Sequence, residues 1–253
     1  MPRIAHIALK VQDLDKTAEF YEKVFGLSPV GKSRSEDRSR NRLSDGDIDL
    51  TFLKYDDDKS SMAQAAGDGP CIHHFAIEVD DFAKYVAAVR QFGCEIISDP
   101  SKPPAKFRVP GGPLSEVVPT ERYQKKSDSK KMGRIVHLAM RVDDIDKTCN
   151  FFTEVFGFTQ VKVPGLRDTV RYVTDGTVHM AINKAGAGTE KLNGKCDHFG
   201  IEVENVAQCA AEAKKYDCEV VTTAGNQFKF RAPGGIVVEP VARGTKPGIG
   251  DGA

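Results

Sequence analysis

Six histidines occur among the 253 residues of this chain, and five of them fall where strand geometry can turn them to chemical use. Side chains alternate between the two faces of a strand, so the apolar set marks one face and leaves the other readable. In the first apolar run Ile7, Leu9 and Val11 share a face, which leaves His6, Ala8 and Lys10 opposite. Between 72 and 79, Phe75, Ile77 and Val79 oppose His74, Ala76 and Glu78. Between 48 and 53, Ile48, Leu50 and Phe52 oppose Asp49 and Thr51. Glu116 follows Gly112 by four residues, as Glu239 follows Gly235, and the second half repeats the scheme with His137, His179, His198 and Glu239. A lone histidine in a strand is usually a satisfied structural residue; recurrence in register in both halves is harder to explain that way. Neutral imidazoles with a carboxylate make a three-cornered set that leaves positions open for water, oxygen or substrate, as in non-haem iron(II) and related catalytic sites. A structural zinc site would close all four positions, typically with cysteines, and none of the six cysteines falls at these points. His73 aligns with Asp197 on the wrong parity and is read as outside the site.

The elements that must position these groups come in duplicate. Ala5-His6-Ile7-Ala8-Leu9-Lys10-Val11 matches Val136-His137-Leu138-Ala139-Met140-Arg141-Val142 at an offset of 131. His74-Phe75-Ala76-Ile77-Glu78-Val79 matches His198-Phe199-Gly200-Ile201-Glu202-Val203 at 124, and Phe107-Arg108-Val109-Pro110-Gly111-Gly112 matches Phe230-Arg231-Ala232-Pro233-Gly234-Gly235 at 123. Each half divides again, with the pattern restarting at Ile72 and at Asp197. The first helix begins near Asp13 to Asp15, buries Leu14, Ala18, Tyr21, Val24 and Phe25, and stops at Gly26. A second buries Phe82, Val86, Val89 and Phe92, with Gly93 as its C-terminal cap. The apolar spacing and the glycine stops make these helices. The reading is an α+β fold of four tandem βαβββ modules, two per domain, with helices on one sheet face and an open face opposite. The expected divisions are a first domain at 1–121 (modules at about 4–54 and 71–119), a linker at 122–133, a second domain at 134–243 (modules at about 135–184 and 197–242) and a flexible tail at 244–253.

Bulk properties narrow the partners. Lys plus Arg equals Asp plus Glu at 36 each, so no overall field draws in nucleic acid or a membrane. The basic run Lys125–Lys131 is interrupted by Asp128 and reads as solvated linker. Arg3, His6 and Lys10 punctuate the N-terminus against a signal peptide, and no apolar run of ~18 residues could span a bilayer. Without C-x-x-C spacing the cysteines read as reduced, and a cytoplasmic location is expected.

A strand histidine, a helix carrying Phe20-Tyr21-x-x-Val24-Phe25-Gly26-Leu27, a second strand histidine, and Pro-x-Gly-x-x-x-Glu at 110–116 and 233–239 together resemble the vicinal oxygen chelate superfamily. That superfamily includes glyoxalase I, methylmalonyl-CoA epimerase, extradiol dioxygenases, and the bleomycin and fosfomycin resistance proteins. The resemblance covers about Ile4 to Val118 and Ile135 to Val241. It implies the glyoxalase/bleomycin resistance/dihydroxybiphenyl dioxygenase fold and a divalent ion (Fe2+, Ni2+, Zn2+, Mn2+ or Co2+) that chelates a substrate through neighbouring oxygens. It further implies His6, His74 and Glu116 as one ligand set and His137, His198 and Glu239 as another. The fourth family position falls on Asp49 and His179. A module-swapped pairing, His6 and Asp49 with His198 and Glu239, and His137 and His179 with His74 and Glu116, stays open.

The resemblance leaves the reaction divided. Ring-cleaving dioxygenases of the family carry a tyrosine about ten residues before the ligand glutamate, where this chain has Lys106 and Lys229; His179 and the triad are the signs in their favour. An isomerase or lyase of the glyoxalase or epimerase kind needs a base on the carbon acid, for which Asp49 or His179 is the candidate. Isomerase or lyase chemistry is slightly preferred, with an extradiol-type iron(II) dioxygenase as the alternative and a non-enzymatic drug-binding protein as the third. Lys106, Arg108, Lys229 and Arg231 recur in register and could hold an anionic group of a small-molecule substrate. A homodimer is compatible with this reading.

Overall fold

A computed structural model gives the architecture. It describes residues 1–57, 59–123, 133–163, 165–186, 188–222 and 228–245, so most of the expected linker (124–132, with the Lys125–Lys131 run) and of the expected tail (246–253) lies outside the described residues. The first half contains β1 (Arg3–Lys10), α1 (Leu14–Phe25), β2 (Ser28–Arg34), β3 (Arg38–Ser44), β4 (Asp49–Tyr55), α2 (Ser61–Ala66), β5 (Cys71–Val79), α3 (Phe82–Gln91), β6 (Ala105–Arg108) and β7 (Leu114–Pro119). The second contains β8 (Arg134–Val142), α4 (Ile145–Phe156), β9 (Thr159–Val161), β10 (Val170–Thr174), β11 (His179–Lys184), β12 (Cys196–Val203), α5 (Val206–Lys214), β13 (Glu219–Thr222), β14 (Lys229–Arg231) and β15 (Val237–Ala242). Among the described residues no helix is long and apolar enough to cross a membrane.

These elements form the α+β arrangement of paired modules expected from the repeat. Strand order is β2-β3-β4-β1-β5-β7-β6 in one sheet and β13-β14-β15-β12-β8-β11-β10-β9 in the other, so each half builds its own mixed sheet around two central strands. Three modules run βαβββ; in the second, one strand shrinks to a single bridge between Ile96 and Phe107. Local chemistry fixes the helix ends. The Asp13 and Asp144 side chains accept first-turn backbone N–H groups, while Gly26 and Gly157 close the helices at φ 67° and 71°, where a Cβ would be strained.

The helices lie against sheet faces that the two halves share as one core. Phe20 of α1 meets Phe230 at 5.9 Å and Tyr21 meets Phe199 at 5.9 Å, ring centre to ring centre. The duplicated partners do the reverse, with Phe151 of α4 5.7 Å from Phe107 and Phe152 6.3 Å from Phe75. The apolar faces of β5, β6, β12 and β14 are thus consumed by packing, which turns their other faces toward the sites.

A reciprocal polar latch joins the halves. Asp45 Oδ2 accepts the Ile135 backbone N–H at 2.7 Å and Asp175 Oδ2 accepts that of Ile4 at 2.6 Å, while each Oδ1 closes its own hairpin turn. Both latched strands carry the first histidine of a site two residues on. Each of Asp45→Ala and Asp175→Ala leaves a strand-end N–H without its partner and is expected to lower stability by about 1–3 kcal/mol in urea unfolding. Losses below about 0.5 kcal/mol in both variants, the range of ordinary surface changes, would show the latch to be incidental.

Candidate metal centres

In each half three central strands set the geometry. His6 on β1 lies opposite Ala76 on β5, and Ala76 lies opposite Glu116 on β7. In the second half His137 and Glu239 flank Gly200 in the same way. The residue between must be small: a Cβ on Gly200 would stand 2.8 Å from that of His137. The second histidine, His74 or His198, lies one row along, opposite Ala8 or Ala139. One donor atom from each of His6, His74 and Glu116 falls within 4.8 Å of the others, and the same holds for His137, His198 and Glu239. All six side chains are buried. The imidazole centres are 5.2 Å apart in both halves. Among the described residues the groups that form are therefore the within-half ones, and the swapped pairing is not seen.

Behind these rings each Nδ1 is tied to an acceptor or a relay. His6 Nδ1 donates to Asp49 Oδ1 at 2.8 Å, since a carboxylate can only accept. Asp49 is held in turn by the Thr51 hydroxyl at 2.6 Å and by Arg42, whose Nη2 is 2.6 Å from Oδ2. His137 Nδ1 donates to the His179 carbonyl at 2.8 Å. His74 Nδ1 meets His73 Nδ1 at 2.7 Å, and His73 Nε2 meets the Tyr55 hydroxyl at 2.9 Å. His198 Nδ1 lies 3.5 Å from Asp197, which Arg141 grips at 2.9 Å. The second rings turn Nε2 toward the carboxylates, His74 to Glu116 at 3.4 Å and His198 to Glu239 at 3.2 Å. Holding the far nitrogen fixes ring orientation and tautomer and leaves the near one for an ion. The donor set therefore fits a divalent cation in both halves.

Electrostatics agree with neutral rings facing charged carboxylates. Burial, reinforced by nearby cations, lowers His74 and His137 to about 3. Burial opposes ionisation of Glu239, yet His198, His137 and Lys229 bring it down to about 2. Against the same burial, Lys106 and His74 hold Glu116 well below the usual carboxylate range.

The remaining expected residues fall unevenly. Asp49 lies in register beside His6, buried, with its oxygens engaged by His6, Thr51 and Arg42. His179 sits in register beside His137 on β11. Lys106 Nζ is 2.5 Å from Glu116, and Lys229 Nζ 3.5 Å from Glu239. Arg108 points away from the first site, bonding the Ala65 carbonyl, and Arg231 stands at the outer rim of the second opening against Glu219. Sequence reasoning passed over His73 and Asp197 for a physical reason. Each is the extra residue of a β-bulge, where the ladder steps from Ile72 to His74 and from Cys196 to His198, and a bulge breaks the alternation that parity relies on. Tyr123, which stacks 4.2 Å over His6 and donates from its hydroxyl to Glu116, follows the last strand and carries no motif.

A cavity of about 450 Å³ opens on the first centre and one of about 970 Å³ beside His198 and Lys229 of the second.

The chain matches the model of the Glyoxalase/Bleomycin resistance protein/Dioxygenase superfamily twice, over residues 3–110 and 134–239. It is 30% identical over 166 residues to a lactoylglutathione lyase of Arabidopsis thaliana, covering 61% of this chain and 54% of that protein. It is 25% identical over 132 residues to the mitochondrial methylmalonyl-CoA epimerase of Mus musculus, covering 48% of this chain and 72% of that one. The chain spans about half the length of the plant lyases it matches. The structure of an Mn(II)-bound glyoxalase from Novosphingobium aromaticivorans superposes with a TM-score of 0.69 at 21% identity, over 96% of this chain and 83% of that one, a likeness of fold.

The lowered histidines set an acid limit. Their folded pKa values of about 3 lie below the ordinary histidine value of about 6.5, so between these the unfolded chain binds more protons and stability falls as pH falls. Thermal melts of chelator-treated protein are expected to drop from pH 6.5 downward, with a shallower slope in the His74→Gln, His137→Gln double variant. Equal slopes would contradict neutral, buried rings.

Proposed function

The chain belongs to the Glyoxalase/Bleomycin resistance protein/Dioxygenase superfamily, and within it we propose a divalent-metal-dependent isomerase or lyase acting on a small substrate with neighbouring oxygens. Each half is one domain, at 1–121 and 134–243, carrying one centre. The observation that carries the reading is the pair of buried His/His/Glu sets, each with its ring nitrogens tied from behind. A divalent ion held by His6, His74 and Glu116, or by His137, His198 and Glu239, supplies Lewis-acid polarisation of substrate oxygens.

The protein's own groups do the rest. Asp49, His73 and Asp197 hold three of the four rings in place, and burial keeps bulk water from the donors. In the first half Lys106 and Tyr123 each donate a hydrogen bond to the Glu116 carboxylate and hold it in place. In the second, His179 takes the acid/base role beside His137. The lyase and epimerase relatives support proton-transfer chemistry over ring cleavage, and the six free cysteines suit a reducing, cytoplasmic setting.

Metal analysis of untagged protein is expected to give two divalent ions per chain, with turnover of hemithioacetals or 2-methylacyl-CoA compounds and no oxygen uptake on catechols. Asp49→Asn is expected to weaken the first centre for metal by about 10–100-fold and spare the second. Iron with oxygen uptake would move the assignment to the ring-cleaving alternative; ligand binding without metal would move it to a sequestering protein.

A further inference from the structure

The duplicated sites differ on one wall. β3 carries Arg38, Arg40 and Arg42 at every second position, so all three share the face that lines the first cavity. Through their pairings with β4 and β11, Arg42 corresponds to Tyr172 and Arg40 to Val170 in the second half. There Tyr172 and Val170 join Ala139 and Ala181 in an apolar cluster that Val161, Val163 and Leu166 pack over. Two of the three arginine positions are therefore filled by a tyrosine and a valine in the other half.

The charges of the first cavity do not balance. Its lining contributes Arg38, Arg40, Arg42, Lys106 and Arg122 against one carboxylate, Glu116. Three of these cations have partners: Arg38 bonds Asp37 at 2.8 Å, Arg42 grips Asp49 at 2.6 Å and Lys106 grips Glu116 at 2.5 Å. Arg40 and Arg122 have no ion pair among the described residues. Arg40 is half-buried and lies between the paired arginines, where a planar fork could bind an oxyanion through two parallel N–H groups. Burying a guanidinium beside two others with no anion is unfavourable, and a bound anion removes that cost.

We infer that the first cavity, and not its duplicate, binds a small organic anion whose carboxylate or phosphate seats on Arg40 between Arg38 and Arg42. A volume of about 450 Å³ suits a compact ligand of this kind. The inference rests on the proposed metal-centre reading only for where the other end of the ligand goes, toward His6, His74 and Glu116. The two centres then serve different substrates, or one ligand fits only the first.

The test is calorimetric titration of inorganic phosphate and of malonate into chelator-treated protein, repeated after loading with Mn2+. One saturable site per chain is expected. It should weaken about tenfold or more in Arg40→Met, partly recover in Arg40→Lys, and hold steady in Arg231→Met at the rim of the second opening. The tighter probe identifies phosphate or carboxylate as the natural group. Binding to metal-free protein that is lost in Arg40→Met supports the seat even if no metal loads, which separates it from the metal reading. No saturable binding, or equal loss in Arg40→Met and Arg231→Met, overturns it.

Discussion

An imidazole ring can offer one nitrogen to a cation reproducibly only when its other nitrogen is held. Four rings in this protein meet that condition in four ways: a carboxylate behind His6, a backbone carbonyl behind His137, a His–Tyr relay behind His74 and an Asp–Arg pair behind His198. The spacing of the donors is nearly the same in both halves although the supports differ. Duplication preserved the position of the near nitrogen and let the means of fixing it drift.

The fold exists to keep those rows in register. Ala76 and Gly200 leave room for a histidine and a glutamate to reach across one central strand. The opposite faces of the same strands are locked by reciprocal aromatic packing, Phe20 and Tyr21 on one half's strands, Phe151 and Phe152 on the other's. A slip of one residue would bury the donors in hydrocarbon and expose the aromatics, so core and site specify the same register.

The sequence made much of this legible because alternation and helical spacing are direct images of strand and helix geometry. The repeat, the glycine-stopped helices and the open-face strand histidines follow from it, whereas Glu116 and Glu239 were found by their spacing from the repeated glycines and the two ligand sets by the family resemblance. What escaped did so where geometry departs from period. His73 and Asp197 ride on bulges, and Tyr123 returns from beyond the last strand. Asp49 falls on the expected face beside His6, and only the folded chain reveals its bonds to His6, Thr51 and Arg42. The Arg38, Arg40, Arg42 alternation was present in plain view, and its meaning emerged only when β3 was seen to wall the first cavity.

X-ray absorption fine structure on Ni2+- or Zn2+-loaded protein tests the central claim most directly. Two imidazole scatterers per ion are predicted; when His137 and His198 are both replaced by alanine, the ion content is predicted to fall from two to one per chain while the remaining ion keeps two imidazoles. An imidazole count of one or none in the unaltered protein would place the ions elsewhere and contradict the account.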